Sequence, residues 1–478
     1  MFVPLKNSPN DLQVPRILPR SQAAQLNLVA SIGTQEDLAV SERVHRMLSL
    51  ASKFVAEGPS NSQEATVFGL QLTKHVVEAL RKEKSNMKER VADAFPRESV
   101  AVEDFLKQVV LPNLNKLSSS EVAGALRLIS EVGDSYGDSF QGVANHLRGS
   151  LSELNIESLT KVALAYSVFG HRDPDVFQAI SVGISQQLNS LTPVLITRVV
   201  TALSSCGYRD DKLFNELATK VTKLMPFFPA DQLADVAMGF ARLSIRNEKF
   251  FCALESSLLN EKRKDLSSKA VVKLAWAVAA CDLDATRVKN FIAQHPERFN
   301  DLTGAHTAQL AQALLAIGVL NSQVERLAHK SQHSFKDRSS DHLFKTSVRD
   351  LLVKECGISE QDIQESLVIA GIESDLLIKR GARGVIIECD GDRYHLTWGP
   401  DAGKPLGRDV VQDRARATLG YEVVHVLASD LFHGRRDEVV AFLRQALGAS
   451  DVQGKALVPP LGKGASFGLD LGSVPLPK

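Results

Sequence analysis

The stretch Val162-Ala163-Leu164-Ala165-Tyr166-Ser167-Val168-Phe169-Gly170 decides the fold, because its pattern recurs through the middle of the chain. Each copy begins with an aliphatic residue, continues with small and apolar residues, and often ends in Gly or Ser before a polar loop. The copies begin at Val122, Val162, Val199, Val236, Leu274 and Leu310, and are separated by 40, 37, 37, 38 and 36 residues. Such a period accommodates two helices of about a dozen residues and two turns.

The first helix of each copy carries a small residue at one shared position, where neighbouring helices must approach closely. These residues are Ala125, Ala165, Ala202, Gly239, Ala277 and Ala313. The second helix is amphipathic: apolar residues in 176–188 recur at spacings of three and four, and Asp173-Pro174 is a helix start. One such hairpin cannot bury its apolar face alone, so residues 118–330 predict an α-solenoid with an extended concave surface. Residues 35–117 predict a further helical region, with helical periodicity over 64–83 and 102–117 that does not register with the repeat.

The composition excludes several classes of protein. Lys+Arg and Asp+Glu are both 56, so the chain has no global charge to drive nucleic-acid coating. The five cysteines are scattered without a C-x-x-C pair, which argues against a disulfide scaffold or a cysteine-rich zinc site and favours a reducing compartment. No apolar run reaches the roughly 18 residues that a membrane span needs. We therefore expect no membrane span.

Both ends of the chain differ from the repeat region. Residues 1–34 carry Lys6, Arg16 and Arg20 against one acidic residue, which resembles a mitochondrial targeting segment. Their four prolines interrupt an amphipathic helix up to Pro19, so an irregular arm is the alternative interpretation. Residues 449–478 are rich in Gly, Pro and Leu and cannot pack a core alone. They predict an extended tail that either lies along a partner or is disordered.

The repeat resembles the heptatricopeptide type of organellar helical repeat, a relative of the octotricopeptide and pentatricopeptide families. That resemblance implies binding of single-stranded RNA in mitochondria or plastids. Bound RNA would face the solvent stripe of the first helices, where Lys161, Arg198 and Lys273 are candidates for phosphate contacts. Thr201 and Gln312 are candidates for contacts to base edges. Acidic residues at equivalent positions leave an ordinary solvated face as the alternative.

A different pattern follows the repeats. Residues 331–378 predict a polar linker and two helices, and residues 379–448 predict a small α/β module. In that module, 384–390 is an aliphatic run typical of a buried strand, and 393–398 predicts the second strand of a hairpin. Residues 406–419 predict a helix, 421–427 a strand and 435–447 a last helix. The expected order is therefore ββαβα.

Three segments of this module carry a sharper resemblance. They read IIECDGDRYH (386–395), GRDVVQDRARATLGYEVVHV (407–426) and DEVVAFLRQAL (437–447). The series resembles the RAP domain, an RNA-binding module abundant in apicomplexans, and helical repeats followed by a RAP domain resemble the layout of the FAST-kinase-domain proteins. The resemblance implies organellar RNA processing, RNA stability or ribosomes. The candidates for phosphate contact are Arg393, His395, Arg408, Arg414 and Arg416. The alternative is that they are solvated charges offset by neighbouring carboxylates.

RAP domains are similar to nucleases of the PD-(D/E)xK fold, so RNA cleavage is an alternative activity. Cleavage would need clustered carboxylates to hold Mg²⁺. Glu388 and Asp390 have the same parity on one predicted strand, and Asp413 or His395 would complete a site. However, no E-x-K sequence follows, and Asp390 also fits a turn cap before Gly391. We therefore expect a protein that is not an enzyme and has no metal or other cofactor.

Taken together, the sequence predicts an RNA-binding protein of the mitochondrial matrix, with the plastid as the alternative location. Its expected partners are ribosomal RNA or organellar transcripts and the other subunits of a ribonucleoprotein complex. A neutral chain favours a subunit of an assembly, such as a mitochondrial ribosome, over a regulator that binds free RNA alone. The alternatives are an RNA-processing endonuclease that uses Glu388 and Asp390, and a scaffold that contacts only proteins.

Overall fold

The computed structural model describes residues 42–49, 63–83, 91–133, 138–260, 264–302, 304–331, 342–380, 383–391, 395–432 and 435–448. The predictions for residues 1–34, for the tail 449–478 and for Arg393 lie outside the described residues. Within them, the chain is mostly α-helical, with helices stacked in a solenoid-like array and a small C-terminal mixed sheet. None of the helices described is both long and apolar enough to span a membrane.

The described residues before the repeats contain four helices, and the predicted periodicity at 64–83 is confirmed. They are α1 (42–49), α2 (Gln63–Glu83), α3 (Val91–Ala94) and α4 (Pro96–Val109). The second predicted stretch, 102–117, divides into the end of α4 and a 3₁₀ turn over Leu111–Lys116. Pro112 at the start of that turn explains the division, since proline cannot continue an α-helix.

The repeats contain alternating first and second helices, as predicted. The first helices are α5 (Ser119–Val132), α7 (Ile156–Phe169), α9 (Pro193–Cys206), α11 (Ala230–Arg242), α13 (Ser268–Ala280) and α15 (Ala305–Ala316). The second helices are α6 (Asp138–Arg148), α8 (Pro174–Gln186), α10 (Asp211–Leu224), α12 (Glu248–Leu258), α14 (Thr286–Gln294) and α16 (Ser322–Ser331). Polar side chains cap many of these helices; Asp173, Asp210 and Asn247, for example, each accept a backbone N–H three residues ahead.

The described residues form two compact units, one ending at Cys206 and the other beginning at Gly207. In the first unit α7 packs between α5 and α9, and in the second α13 packs between α11 and α15. The small residues predicted to mark close approach are all buried in these first helices. Their burial confirms the alignment of the repeats.

One backbone position recurs at the end of five first helices. One or two residues after the helix, the backbone has a positive φ, between 52° and 77°, at Gly170, Gly207, Ser244, Asp282 and Gly318. These residues are separated by 37, 37, 38 and 36 positions, so the turn follows the period of the repeat. We call these five positions the left-handed turns. Ser244 and Asp282 are notable because side chains other than glycine rarely adopt this conformation.

The C-terminal module lies in the second unit. It contains α17 (His342–Lys354), β1 (Ile363–Ile369), β2 (Ile372–Arg380), β3 (Arg383–Asp390), α18 (Gly407–Thr418), β4 (Glu422–Leu427), α19 (Ala428–Phe432) and α20 (Arg436–Gly448). The sheet order is β1-β2-β3-β4, with antiparallel pairs except for β4, which runs parallel to β3. The predicted helix over 406–419, strand over 421–427 and last helix are confirmed.

Two predictions for this module are wrong. Residues 363–380 form the β1–β2 hairpin instead of a second helix, turning at Ala370 and Gly371, both with positive φ. Residues 395–398, the described part of the strand predicted over 393–398, do not pair with β3, because β2 and β4 already occupy both edges of that strand. Within the described residues of this segment, Leu396 instead bridges to Pro405 and Trp398 to Tyr208.

The two faces of β3 have different chemistry. Val385, Ile387 and Cys389 point into the main core, together with apolar residues of α17, β4 and α20. The alternate residues of β3 face the other side of the sheet, where Ile386 packs with Leu377 and Val423. Side chains alternate across a strand, so Glu388 and Asp390 share this second face, as their spacing predicted.

Candidate functional site

A cluster of seven ionisable side chains gathers on the second face of β3. We call it the charge cluster, and its members are Glu388, Asp390, His395, Asp409, Asp413, Arg416 and His425. β3 contributes two of them, α18 three, β4 one and the segment before α18 one. His425 enters because β4 pairs in parallel with β3 and places it directly beside Glu388.

His425 lies between two carboxylates. Its Nδ1 is 2.5 Å from Asp390 Oδ2, and its Nε2 is 2.8 Å from Asp413 Oδ2. Burial alone would lower the pKa of His425, but the charges of Asp413 and Asp390 outweigh it and raise that pKa well above its ordinary value. Burial likewise opposes ionisation of Asp390, yet the charge and hydrogen bond of His425 hold its pKa below the usual range. The imidazolium therefore ties β4 to β3 and α18.

His395 occupies the other side of Asp390. Its Nδ1 is 3.2 Å from Asp390 Oδ1 and 3.3 Å from Asp409 Oδ2. Burial opposes its protonation, but Asp409 and Asp390 raise the pKa of His395 above its ordinary value. Arg408 extends the chain of charges, with Nε 3.1 Å from Asp409 Oδ1, and its side chain is 47% exposed. Arg408 thus adds a partly solvent-exposed positive charge beside the charge cluster.

Arg416 is the buried arginine of the charge cluster. The residue is 1% exposed, and its guanidinium lies 2.8 Å from Glu388 and 3.2 Å from Asp413. It also donates a 2.7 Å hydrogen bond to the carbonyl oxygen of Glu373 on β2. Burial raises the pKa of Glu388 to about 8, and Arg416 offsets only part of that effect. With Glu388 neutral and both histidines protonated, three cations face three carboxylates.

The cluster is therefore closed by its own cations. Asp390 is shared by two imidazoles, and Glu388 lies against a guanidinium, so neither carboxylate is directed at an open position. Among the residues that the structure describes, no group of His, Cys, Asp and Glu is arranged to hold a metal ion. The donor set thus does not fit the Mg²⁺ site that the nuclease alternative requires.

The other predicted contacts of the module are dispersed. Arg414 points away from the charge cluster and toward the repeats of the second unit. It donates a 2.8 Å hydrogen bond to the carbonyl oxygen of Ala279 and pairs with Asp282. Arg408 remains partly exposed, whereas Arg416 is enclosed. The structure thus brings His395 and Arg416 together around β3 but directs Arg414 elsewhere. Their role in RNA contact stays a prediction.

The module packs against the left-handed turns of the second unit, and we call this contact surface the seat of the module. Trp398 N donates to Gly207 O (2.9 Å), and its ring packs edge-on against Tyr208, 5.0 Å between centroids. Ser244 Oγ donates to the Pro405 carbonyl (2.7 Å), and Asp282 receives Arg414. Three consecutive turns of the repeat therefore hold one face of the module. The side chains of Ser244 and Asp282 make contacts that glycine would not make.

This seat covers part of the stripe predicted to read RNA. α18 packs against α11, α13 and α15. Met238, Trp276 and Gln312, at the stripe position of those helices, are buried, and Gln312 donates to the carbonyl oxygen of Gly371 in the β1–β2 turn (3.2 Å). Gln312 therefore contacts the protein's own module. The equivalent stripe residues of the first unit, including Thr201, stay partly exposed.

The three predicted basic contacts of the stripe differ in their surroundings. Lys273 is paired with Asp235 (2.5 Å), and Lys161 with Glu157 (2.9 Å). Arg198, like Lys161, is partly exposed in the first unit. Two of the three predicted basic contacts are therefore offset by neighbouring carboxylates.

Sequence reasoning missed His425 and the seat of the module. The signal for His425 was present, since a histidine in the run Val423-Val424-His425-Val426 is a polar residue within a buried strand. Its partners became visible only with the parallel pairing of β3 and β4. The seat had no local signal because it joins segments about 190 residues apart, such as Asp211 N and Asp401 Oδ2.

Comparison with known proteins adds one finding. Residues 139–348 match the model of an RNA-associated family described as RNA-editing substrate-binding complex 6 protein. The matched segment runs from α6 to α17 and covers somewhat less than half of the chain. A search of curated proteins found no match.

Proposed function

We propose that this protein is a non-catalytic RNA-binding component of a mitochondrial ribonucleoprotein assembly. The observation that carries the proposal is the family match over 139–348, which falls on the stacked helical repeats. The name of that family refers to RNA-editing substrates and to a complex that binds them. Stacked helical hairpins of this kind offer a surface that extends over several repeats, as such a role needs.

We further propose that the C-terminal module is a RAP domain that has a structural role here. Three motifs in order support the assignment, and the closed charge cluster supports a role without catalysis. The module fixes the second half of the repeats, leaving Arg408 as its exposed predicted phosphate contact. RNA would then use mainly the first unit, where Lys161 and Arg198 are partly exposed.

The identity of the particle is the finer part of the proposal. The family description favours an assembly that holds RNA substrates over a mitochondrial ribosome that holds ribosomal RNA. A matrix location follows from the N-terminal segment, which resembles a targeting sequence, with the plastid as the alternative. An endonuclease finds no support in the arrangement around Glu388 and Asp390.

The test is ultraviolet crosslinking of the native protein in isolated mitochondria, together with its sedimentation profile. We expect crosslinks to RNA and co-sedimentation with a complex that survives moderate salt. Purified protein should bind single-stranded RNA with a salt slope of about −0.7 per neutralised phosphate. Crosslinks to protein alone would instead leave a scaffold, and Mg²⁺-dependent cleavage lost in Asp390→Ala would establish a nuclease.

A further inference from the structure

A polar cavity in the first unit belongs neither to the charge cluster nor to the seat of the module. It has a volume of about 110 Å³ and lies between α6 and the loop that joins α7 to α8. The loop begins at Gly170, the first of the left-handed turns. The cavity therefore occupies a defined place in the repeat, within the segment that matches the RNA-associated family.

The floor of the cavity is aromatic. Phe140 and Tyr166 are buried beneath it, with ring centroids 5.4 Å apart in an edge-to-face arrangement. The ring of His171 stacks on Phe140 at 5.2 Å with an interplanar angle of 22°, and it remains partly exposed. Because Phe140 and Tyr166 are buried, the ring that a planar ligand would meet is that of His171, which the two rings beneath hold in place.

The rim of the cavity carries hydrogen-bonding groups. Gln141, Asn145 and Arg148 are exposed on one face of α6, about one turn apart. Arg172 and Asp173 complete the rim from the loop. Arg148 pairs with Asp173 (2.5 Å) and with Asp175 (3.4 Å), and Arg172 is the second arginine of the rim.

The next repeat shows what this loop position can bind. Tyr208 is equivalent to His171, 37 residues later, and receives the ring of Trp398. Backbone hydrogen bonds on either side hold that ring: Trp398 N donates to Gly207 O, and Arg209 N donates to Trp398 O (2.7 Å). A further repeat along, Ile245 is buried. His171 is thus the accessible aromatic residue among these three loops.

We propose that the cavity is a subsite for one unstacked nucleotide of single-stranded RNA. The base lies against His171 above the aromatic floor, and the amides of Gln141 and Asn145 read its edge. Arg172 contacts the adjacent phosphate. Splayed bases stacked on aromatic side chains and hydrogen-bonded on their edges are the usual mode of single-strand recognition. The inference rests on the proposed function, since it assigns part of the RNA path.

The test uses the full-length protein, a labelled single-stranded RNA oligonucleotide and fluorescence anisotropy. His171→Ala should weaken binding about tenfold, because loss of one stacked base costs about that much. The double variant Gln141→Ala with Asn145→Ala changes only exposed residues and should weaken binding several-fold without altering the fold. Arg246→Ala is the control for these variants and should leave RNA binding unchanged. Arg246 lies two repeats beyond Arg172, is half exposed and pairs with Glu248.

The outcomes separate the subsite from the proposed function. Unchanged binding in His171→Ala and in the double variant, with normal binding by the native chain, would overturn the subsite alone. Absence of RNA binding by the native chain would overturn both. Photo-crosslinks from a uridine analogue in the oligonucleotide should map to residues 140–173. Displacement of the RNA by equimolar free uridine monophosphate would indicate a mononucleotide site and would also overturn the inference.

Discussion

Substituting Glu388 by Gln tests the electrostatics of the charge cluster most directly. Burial raises the pKa of Glu388 to about 8 in the folded protein, against an ordinary value of 4.5. At about 1.4 kcal/mol per pH unit, ionising the buried carboxyl costs about 5 kcal/mol more than in the unfolded chain. Gln has a similar shape and cannot ionise, so Glu388→Gln removes this cost.

The sign of the effect follows from proton binding. Between pH 4.5 and 8 the folded chain keeps a proton on Glu388 that the unfolded chain has lost, so this residue makes stability fall as the pH rises. The fall saturates above pH 8. We therefore expect Glu388→Gln to be close to wild type near pH 4.5 and more stable by about 3 kcal/mol at pH 7.

The assay is urea unfolding followed by tryptophan fluorescence. The two tryptophans of the chain, Trp276 and Trp398, both lie in the second unit and therefore report on the unit that contains the cluster. Glu373→Gln on β2 is the matched control, because Glu373 is partly exposed on the neighbouring strand. Parallel curves of unfolding free energy against pH for wild type and Glu388→Gln would refute the reasoning.

Three further substitutions probe the cluster and the seat of the module. Arg416→Met removes one of the two cations beside Asp413 and the hydrogen bond to the Glu373 carbonyl oxygen, and it should cost about 3 kcal/mol of unfolding free energy at pH 7; a loss below about 1 kcal/mol would contradict the pairing. His425→Gln should lower the free energy of unfolding by about 3 kcal/mol at pH 6, because the raised pKa of His425 keeps the wild-type imidazole protonated. The loss should become smaller as the pH rises through that raised pKa. A loss that does not change with pH in urea titrations would refute this. Gly407→Ala places a methyl group against the Ala241 carbonyl oxygen and should destabilise the second unit by about 2 kcal/mol in thermal unfolding, whereas Gly448→Ala, with open space around it, should not; equal effects would argue against the seat.

The helical repeat could be predicted from the sequence because a solenoid depends on contacts between segments that are close in sequence. The small residue of each first helix must be small wherever the helices touch, so the pattern recurs at every copy and can be read without coordinates. The parity of Glu388 and Asp390 was readable for a similar reason, since alternation in a strand is local. Both predictions rest on distances of a few residues.

The features that could not be predicted depend on contacts distant in sequence. The β1–β2 hairpin was hidden because Ala370-Gly371 is not one of the usual turn pairs, although both residues adopt positive φ. The partners of His425 come from β3 and α18, and pairing order decides which residues meet. Arg414 was predicted to contact phosphate because its partner Asp282 lies 132 residues earlier, too far away in the sequence for the pair to be recognised.

The seat on the left-handed turns also restricts how this array can change in length. Gly207, Ser244 and Asp282 meet one rigid face of the module, so the spacing and number of copies between them must match that face. A duplicated or deleted hairpin in this interval would shift the later contacts by a whole repeat and break them. A hairpin duplicated ahead of Gly207 would leave these three contacts in place, so the module sets the repeat number only in the interval that it touches.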